Sequence, residues 1–219
     1  MTRAMILAAG KGTRIRQASQ QVPKALIRVK DKPLIVYHLE KLAQAGIKEV
    51  VINLAYLGDK IRQLLGNGQV WGVDIAYSQE PEDCLGTGGG IVKALPLLGE
   101  APFFVFSCDI WTDFDFAHLP CELSKLAHLV LVDNPSFHPQ GDFYLHDDLI
   151  LMNSSIEKQK YTYANIGVYH PEFFAGCHQA VFPLAPLLFK AIEQNAVTGE
   201  HFVGAWHNVN TPEEFAKLE

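Results

Sequence analysis

A chain of 219 residues with 48% hydrophobic and 19% charged side chains has the make-up of one globular α/β domain, and at that length it buries about 70% of the surface its unfolded form exposes. Its net charge of −6 argues against nucleic acid as a partner, and no run approaches the ~20 apolar residues of a membrane span. Cys84, Cys108, Cys121 and Cys177 show neither C-x-x-C pairing nor dense spacing, so they read as reduced thiols rather than a zinc site or disulfide framework.

The apolar start of the chain, Met1 to Gly10, is too short for a secretory signal, lacks a small-residue cleavage pattern and runs into Lys11, so the cytoplasm is the expected location. Within it, Met5-Ile6-Leu7 reads as a buried strand that breaks into Ala8-Ala9-Gly10-Lys11-Gly12-Thr13-Arg14. Glycines 10 and 12 remove the Cβ atoms that would hold a polyanion off the backbone N–H groups, and Lys11, Arg14 and Lys24 supply positive charge. Three cations exceed the needs of one phosphate and point to a nucleoside triphosphate. The dinucleotide pattern G-x-G-x-x-G fails, because Ile15 stands at the third glycine and Arg28, Val29 and Lys30 stand where an acidic ribose reader belongs. The NTPase phosphate loop fails as well, since its first glycine would fall on Met5.

Downstream, Leu34 to Ala45 carries an apolar helical face of Leu34, Ile35, His38, Leu39 and Leu42, opened by Pro33 and ended by Gly46. Val50–Asn53 reads as a strand, Ile61–Leu65 as helical, Val73–Tyr77 as a strand and Gly90–Leu98 as a helix. Phe103 to Cys108 is a continuous apolar strand running into Asp109. This rhythm predicts βαβ units and a Rossmann-like, doubly wound, mainly parallel α/β sheet, with the loops after Leu7, Asn53, Tyr77 and Cys108 facing one crevice. Beyond position 130 the segments Leu129–Asp133, Asp142–Leu145, Leu149–Met152 and Tyr163–Tyr169 read as hairpins that add a lid or second wall. No linker divides the chain, so a single domain is expected, with a nucleotide-binding part over about 1–115 and a sugar-binding part over about 116–219.

Leu7 to Arg14 with Pro23-Lys24 resembles the L-A-A-G-x-G-T-R…P-K signature of sugar-1-phosphate nucleotidyltransferases. The resemblance implies their mixed-sheet, GT-A-like fold and the attack of a sugar phosphate on the α-phosphorus of a nucleoside triphosphate. It implies that Arg14 meets the β- and γ-phosphates, that Lys24 meets the α-phosphate, and that the loop Leu7, Ala8, Ala9, Gly10, Lys11, Gly12 and Thr13 lines the nucleotide. Asp109-Ile110-Trp111-Thr112-Asp113 resembles the family's G-D-x-x-x-D, with Cys108 replacing the glycine and Asp113 expected as a cap. Trp206-His207-Asn208-Val209-Asn210-Thr211-Pro212-Glu213 resembles W-x-D-V-G-T-P-E. Asp109 and Asn208 are therefore the implied Mg²⁺ ligands. The alternatives are a helix N-cap or a solvated loop acid for Asp109 and a turn residue for Asn208. An amide in place of a carboxylate removes one ligand charge, so weaker metal binding is expected.

Leu85-Gly86-Thr87-Gly88 and its surroundings resemble the family's base-reading loop. Gln79, Gly86 and Thr87 are the implied contacts, and the arrangement favours a pyrimidine. For the sugar, the resemblance implies Gly141, Lys158 in the Glu157-Lys158 pair, and Asn165; Glu157 and Lys158 also read as exposed ion-pair partners. Substrate-level tracts look closest to the branch that joins UTP and N-acetylmuramate 1-phosphate in peptidoglycan recycling. Two alternatives stand beside it: GTP with mannose 1-phosphate or dTTP with glucose 1-phosphate, and a nucleotide-sugar-binding or sensing protein of low activity. A monomer or homodimer is expected. His118, His128, His138, His146, His170 and His178 are scattered and read as surface residues.

Overall fold

The computed structural model describes residues 2–10, 22–156, 159–210, 214 and 218. In chain order the strands are β1 (Arg3–Leu7), β2 (Arg28–Val29), β3 (Lys32–Pro33), β4 (Glu49–Leu54), β5 (Asp74–Gln79), β6 (Phe103–Ser107), β7 (Ile110–Thr112), β8 (Ala127–Val132), β9 (Tyr144–His146), β10 (Leu149–Leu151), β11 (Thr162–Tyr169), β12 (Val197–His201) and β13 (Trp206–Asn208). The α-helices are α1 (Leu34–Gln44), α2 (Gly58–Leu65), α3 (Gly86–Leu98) and α4 (Ala185–Glu193).

Nine strands form one sheet in the order β5-β4-β1-β6-β11-β8-β12-β10-β9. β5, β4, β1 and β6 run parallel. β11 then enters antiparallel between β6 and β8, β12 runs parallel to β8, and β10 and β9 close that edge as an antiparallel hairpin. Met5 shows why β1 sits centrally: it and its neighbours Ala4 and Ile6 are fully buried, as a strand covered on both faces must be. One core cluster joins α1 and α2 to one face through Ile35, Leu39, Leu42, Ile61 and Leu65. The other joins α3 and α4 to the opposite face through Ile91, Ala94, Leu98, Leu188 and Ile192.

The α/β class holds, and β1, β4, β5 and β6 agree with the sequence reading to within two residues at each end, whereas the short strands β2 and β3 are not expected from it. Of the later strands, β9 and β10 form the expected hairpin, but none forms a lid. They extend the same sheet, because β11 supplies Ile166, Val168 and Tyr169 as core residues to both faces. α3 also starts earlier than its apolar pattern, taking in Gly86 to Gly89, and α4 and β12 complete the C-terminal half.

β1 is the topological switch point, since β4 lies on one side of it and β6 on the other. In open α/β sheets the loops leaving such strands splay apart and leave a crevice beyond their carboxyl ends.

Candidate functional site

That crevice holds a cavity of 240 Å³ lined by Leu7, Ala9, Gly10, Lys24, Asn53, Glu80, Cys84, Gly86, Thr87, Ser107, Cys108 and Asp109. Leu7, Ala9 and Gly10 come from the end of β1. Lys24 opens a single 3₁₀ turn, Lys24–Leu26, anchored by the buried Ala25. Asp109 lies between β6 and β7 and begins no helix, which removes the N-cap alternative.

The polar groups at this end form one connected set. Lys24 Nζ donates to Asp109 Oδ2 at 2.5 Å, with both side chains largely shielded from solvent, and also to Asn210 Oδ1. Asn210 Nδ2 donates to Asn208 Oδ1, while Ser107 Oγ donates to Asp109 Oδ1 at 2.5 Å. β13 pairs with β7 so that Asn208 stands opposite Ile110, and the Val209 N–H donates to the Asp109 carbonyl at 2.8 Å. The two residues singled out as metal ligands are thus brought to the same place from segments a hundred positions apart.

Their donor set fits Mg²⁺. Asp109 and Asn208 offer hard oxygens, and Mg²⁺ takes only one or two protein oxygens beside phosphates and water. Among the described residues no group of three or more His, Cys, Asp or Glu side chains could hold a metal, so a site here depends on substrate oxygens to complete it. Cys108 packs in the core beside Phe106 and Ile110, and burial pushes its thiol up to about 12, so it remains a protonated, inert thiol at neutral pH.

Beside this set lies a second network that the sequence reading did not single out. Glu80 and Asn53 are 4% and 3% exposed. The Ala8 N–H donates to Asn53 Oδ1 at 2.7 Å, Asn53 Nδ2 donates to Glu80 Oε1 at 2.6 Å, and the Leu85 N–H donates to Glu80 Oε2 at 2.7 Å. The signal present in the sequence is a polar residue, Asn53, within the apolar run of β4 and an acid, Glu80, directly after β5. Gln79, the neighbour favoured as a base reader, is outside the cavity lining; its amide donates to the Leu54 and Glu80 carbonyls at 3.3 and 3.2 Å.

Segment 180–184 of the C-terminal half straps the start of α3. The Gly88 and Gly89 N–H groups both donate to the Phe182 carbonyl, at 3.1 and 3.2 Å, and the Phe182 N–H donates to the Leu85 carbonyl at 3.0 Å. Thr87 Oγ1 accepts from the Leu184 N–H at 2.8 Å. Two of the helix's free N-terminal donors are therefore used within the protein. The glycine run follows from the same contacts: a Cβ on Gly88 would meet the Phe182 ring, one on Gly89 the Ala180 carbonyl, and one on Gly90 would sit 2.5 Å from Glu80 Oε1. Cys84, at φ +62°, ties this loop to the glycine loop by a 2.9 Å contact from its Sγ to the Ala9 carbonyl.

In the C-terminal half, Asn165 adopts φ +57° at an irregularity of β11 between Tyr163 and Gly167, a bulge of the kind that re-aims a side chain. Gly141 sits in a turn at φ +61° against Asn134 and Lys160. Asp113 does not cap a helix; it accepts from the Ala205 N–H at 2.7 Å, and Asp115 caps the 3₁₀ turn Phe116–His118 instead. His118 and His178 are exposed, whereas His128, His138, His146 and His170 are half-buried; His138 pairs with Asp142 at 3.0 Å. Lys11, Gly12, Thr13, Arg14 and Lys158 lie outside the described residues.

Comparison with known proteins adds to this geometry. Residues 3–133 match the family model described as Nucleotidyl transferase. The N-acetylmuramate alpha-1-phosphate uridylyltransferase of Neisseria meningitidis serogroup B is 45% identical over 217 residues, covering 95% of this chain and 93% of that protein. Its namesake from Caulobacter vibrioides is 33% identical over 228 residues, covering 98% and 93%. A Bacillus anthracis protein, provisionally named a glucose-1-phosphate thymidylyltransferase and solved with sucrose, shares the fold with a TM-score of 0.85 at 17% identity, over 100% of this chain and 94% of that one.

Proposed function

Because the chain belongs to the nucleotidyl transferase family, we propose that its crevice transfers the uridylyl group of UTP to N-acetylmuramate 1-phosphate and releases pyrophosphate. The observation that carries this reading is the meeting of glycine-loop backbone, Lys24 and Asp109 in one cavity, in a chain so similar over its length to a protein named for that reaction.

In this reading an oxygen of the sugar phosphate attacks the α-phosphorus, the bond from that phosphorus to the oxygen bridging to the β-phosphate breaks, and pyrophosphate leaves. Both reactants are anions, so positioning and charge neutralisation supply most of the rate. Lys24 exchanges Asp109 for the α-phosphate. Lys11 and Arg14 meet the departing phosphates. Gly86 and Thr87 offer backbone groups to the base edge, with Gln79 beside them, and Gly141, Lys158 and Asn165 hold the sugar phosphate. Asp109 and Asn208 would hold Mg²⁺, which would supply positive charge to neutralise the phosphates. The proposal carries with it a cytoplasmic step of peptidoglycan recycling by a monomer or homodimer. No helix of the described residues is long and apolar enough to cross a membrane.

The test is pyrophosphate release with Mg²⁺ or with a chelator, crossing UTP, dTTP and GTP with the 1-phosphates of N-acetylmuramate, glucose and mannose. Metal-dependent release confined to UTP with N-acetylmuramate 1-phosphate is expected. Release with another pair would reassign the substrates, and silence across the panel with UTP still bound would mark a nucleotide-sugar-binding protein.

A further inference from the structure

The geometry points to Asn53 and Glu80 as positioning residues of the nucleotide site, a two-residue relay whose fixed donor-to-acceptor order sets the glycine loop and the base-side loop in register. The inference rests on reading this cavity as the nucleotide site. The relay begins at the Ala8 N–H just after β1, passes through the Asn53 amide at the end of β4, and ends on the Leu85 N–H just ahead of Gly86 and Thr87. Both of its side chains line the cavity and both are nearly inaccessible. A backbone N–H can only donate, so the group at 53 must accept from Ala8 and donate onward, and the group at 80 must accept from both sides. An amide at 53 and a carboxylate at 80 meet that requirement. With both oxygens engaged, the Glu80 carboxylate serves the loops rather than offering a free two-oxygen edge to a purine.

The order of donors makes the relay testable by inversion. Asn53→Asp alone sets two carboxylates against each other, and Glu80→Gln alone sets two NH₂ groups against each other or turns one toward a backbone N–H. The combination N53D/E80Q restores every bond: Asp accepts from Ala8 and from the glutamine NH₂, and the glutamine oxygen accepts from Leu85. Leaving one buried polar group unpaired is worth enough to weaken UTP binding about tenfold. UTP titration calorimetry on the full chain with Mg²⁺ is expected to show that loss in each single variant and a return to within about threefold of wild type in the double variant. The KM for UTP should rise while the KM for the sugar phosphate holds, a split that general loosening of the fold would not produce. Gly90→Ala supplies an independent perturbation. Its methyl presses on Glu80 Oε1 and lies 3.0 Å from Asn53 Nδ2 without altering either group, and it too is expected to weaken UTP. Thermal unfolding is recorded for every variant. Wild-type affinity in Gly90→Ala or in both single variants, an inverted pair as weak as its parents, or losses that only follow the folded fraction would overturn the relay. Failure of the wild-type chain to bind UTP would instead overturn the reading of the cavity.

Discussion

His38 lies on the buried face of α1, 2% exposed, with its ring stacked on Phe106 and Phe116 at centroid distances of 6.5 and 6.4 Å and its Nε2 lacking a hydrogen-bond partner. Burial pushes its pKa down to about 4, opposed only in part by the Ile110 and Cys108 carbonyls and by Asp109. The folded state thus requires the neutral ring, whereas the unfolded chain protonates near pH 6.5. The stability this group allows is complete above pH 6.5 and is lost as the pH falls toward 4, by about 3 kcal/mol over that span. Replacing His38 with Phe should flatten the fall in urea-derived stability between pH 6.5 and 4, and an unchanged slope would show that other groups set it. The residue was legible as a core position because it falls on the apolar face of the Leu34-to-Leu42 pattern. Its ionisation was not, since that depends on Phe106 and Phe116 arriving from elsewhere in the chain. The same distinction runs through the site. The glycine loop, Lys24 and Asp109 announce themselves by residue type and spacing, whereas Asn53 and Glu80 acquire meaning only when three strand ends meet.

At the scale of elements, α3 shows propensity yielding to packing. Its first turns are Gly86-Thr87-Gly88-Gly89-Gly90, where each glycine costs the helix up to about 1 kcal/mol relative to alanine. The sequence pattern therefore places the helix start at Gly90, because periodicity sees no apolar face before Ile91. The structure extends the helix backward because segment 180–184 lies against those residues and accepts their N–H groups. Gly89→Ala should consequently destabilise the protein by about 1–3 kcal/mol in urea unfolding, despite alanine's better helix propensity, since its Cβ meets the Ala180 backbone carbonyl. Gly88→Ala should cost less, because what it meets first is the movable ring of Phe182. A gain in stability for Gly89→Ala would mean that the strap does not hold the helix as described. α4 escaped the sequence reading because it is short. Its nine residues, Ala185–Glu193, bury only Leu188, Ala191 and Ile192, too few for a periodic signal.

Across the whole molecule, the C-terminal strands share the sheet of the N-terminal half. β11 pairs with β6 on one side and with β8 on the other, and the strap crosses from α4 to α3. Melting followed by tryptophan fluorescence, which reports Trp71, Trp111 and Trp206, should coincide with melting followed by far-UV circular dichroism, as a single cooperative unit requires. Two separated transitions would divide the chain into independent halves. The later strands misled the sequence reading for a related reason: hairpin spacing is visible locally, but insertion of a strand into the middle of an existing sheet is a long-range choice with no local mark.

That insertion sets a hazard during synthesis. Phe103–Ser107 can pair with β1 as soon as it leaves the ribosome, but its other edge stays open until Thr162–Tyr169 has been translated. At about 5–20 residues per second that interval lasts several seconds, during which an aromatic-rich, uncharged strand edge of the kind that recruits other chains is exposed. The nascent protein is most vulnerable to aggregation while its N-terminal half already stands and its central strand still waits for a neighbour, so a holding chaperone present during synthesis should raise its soluble yield more than any change to the finished fold.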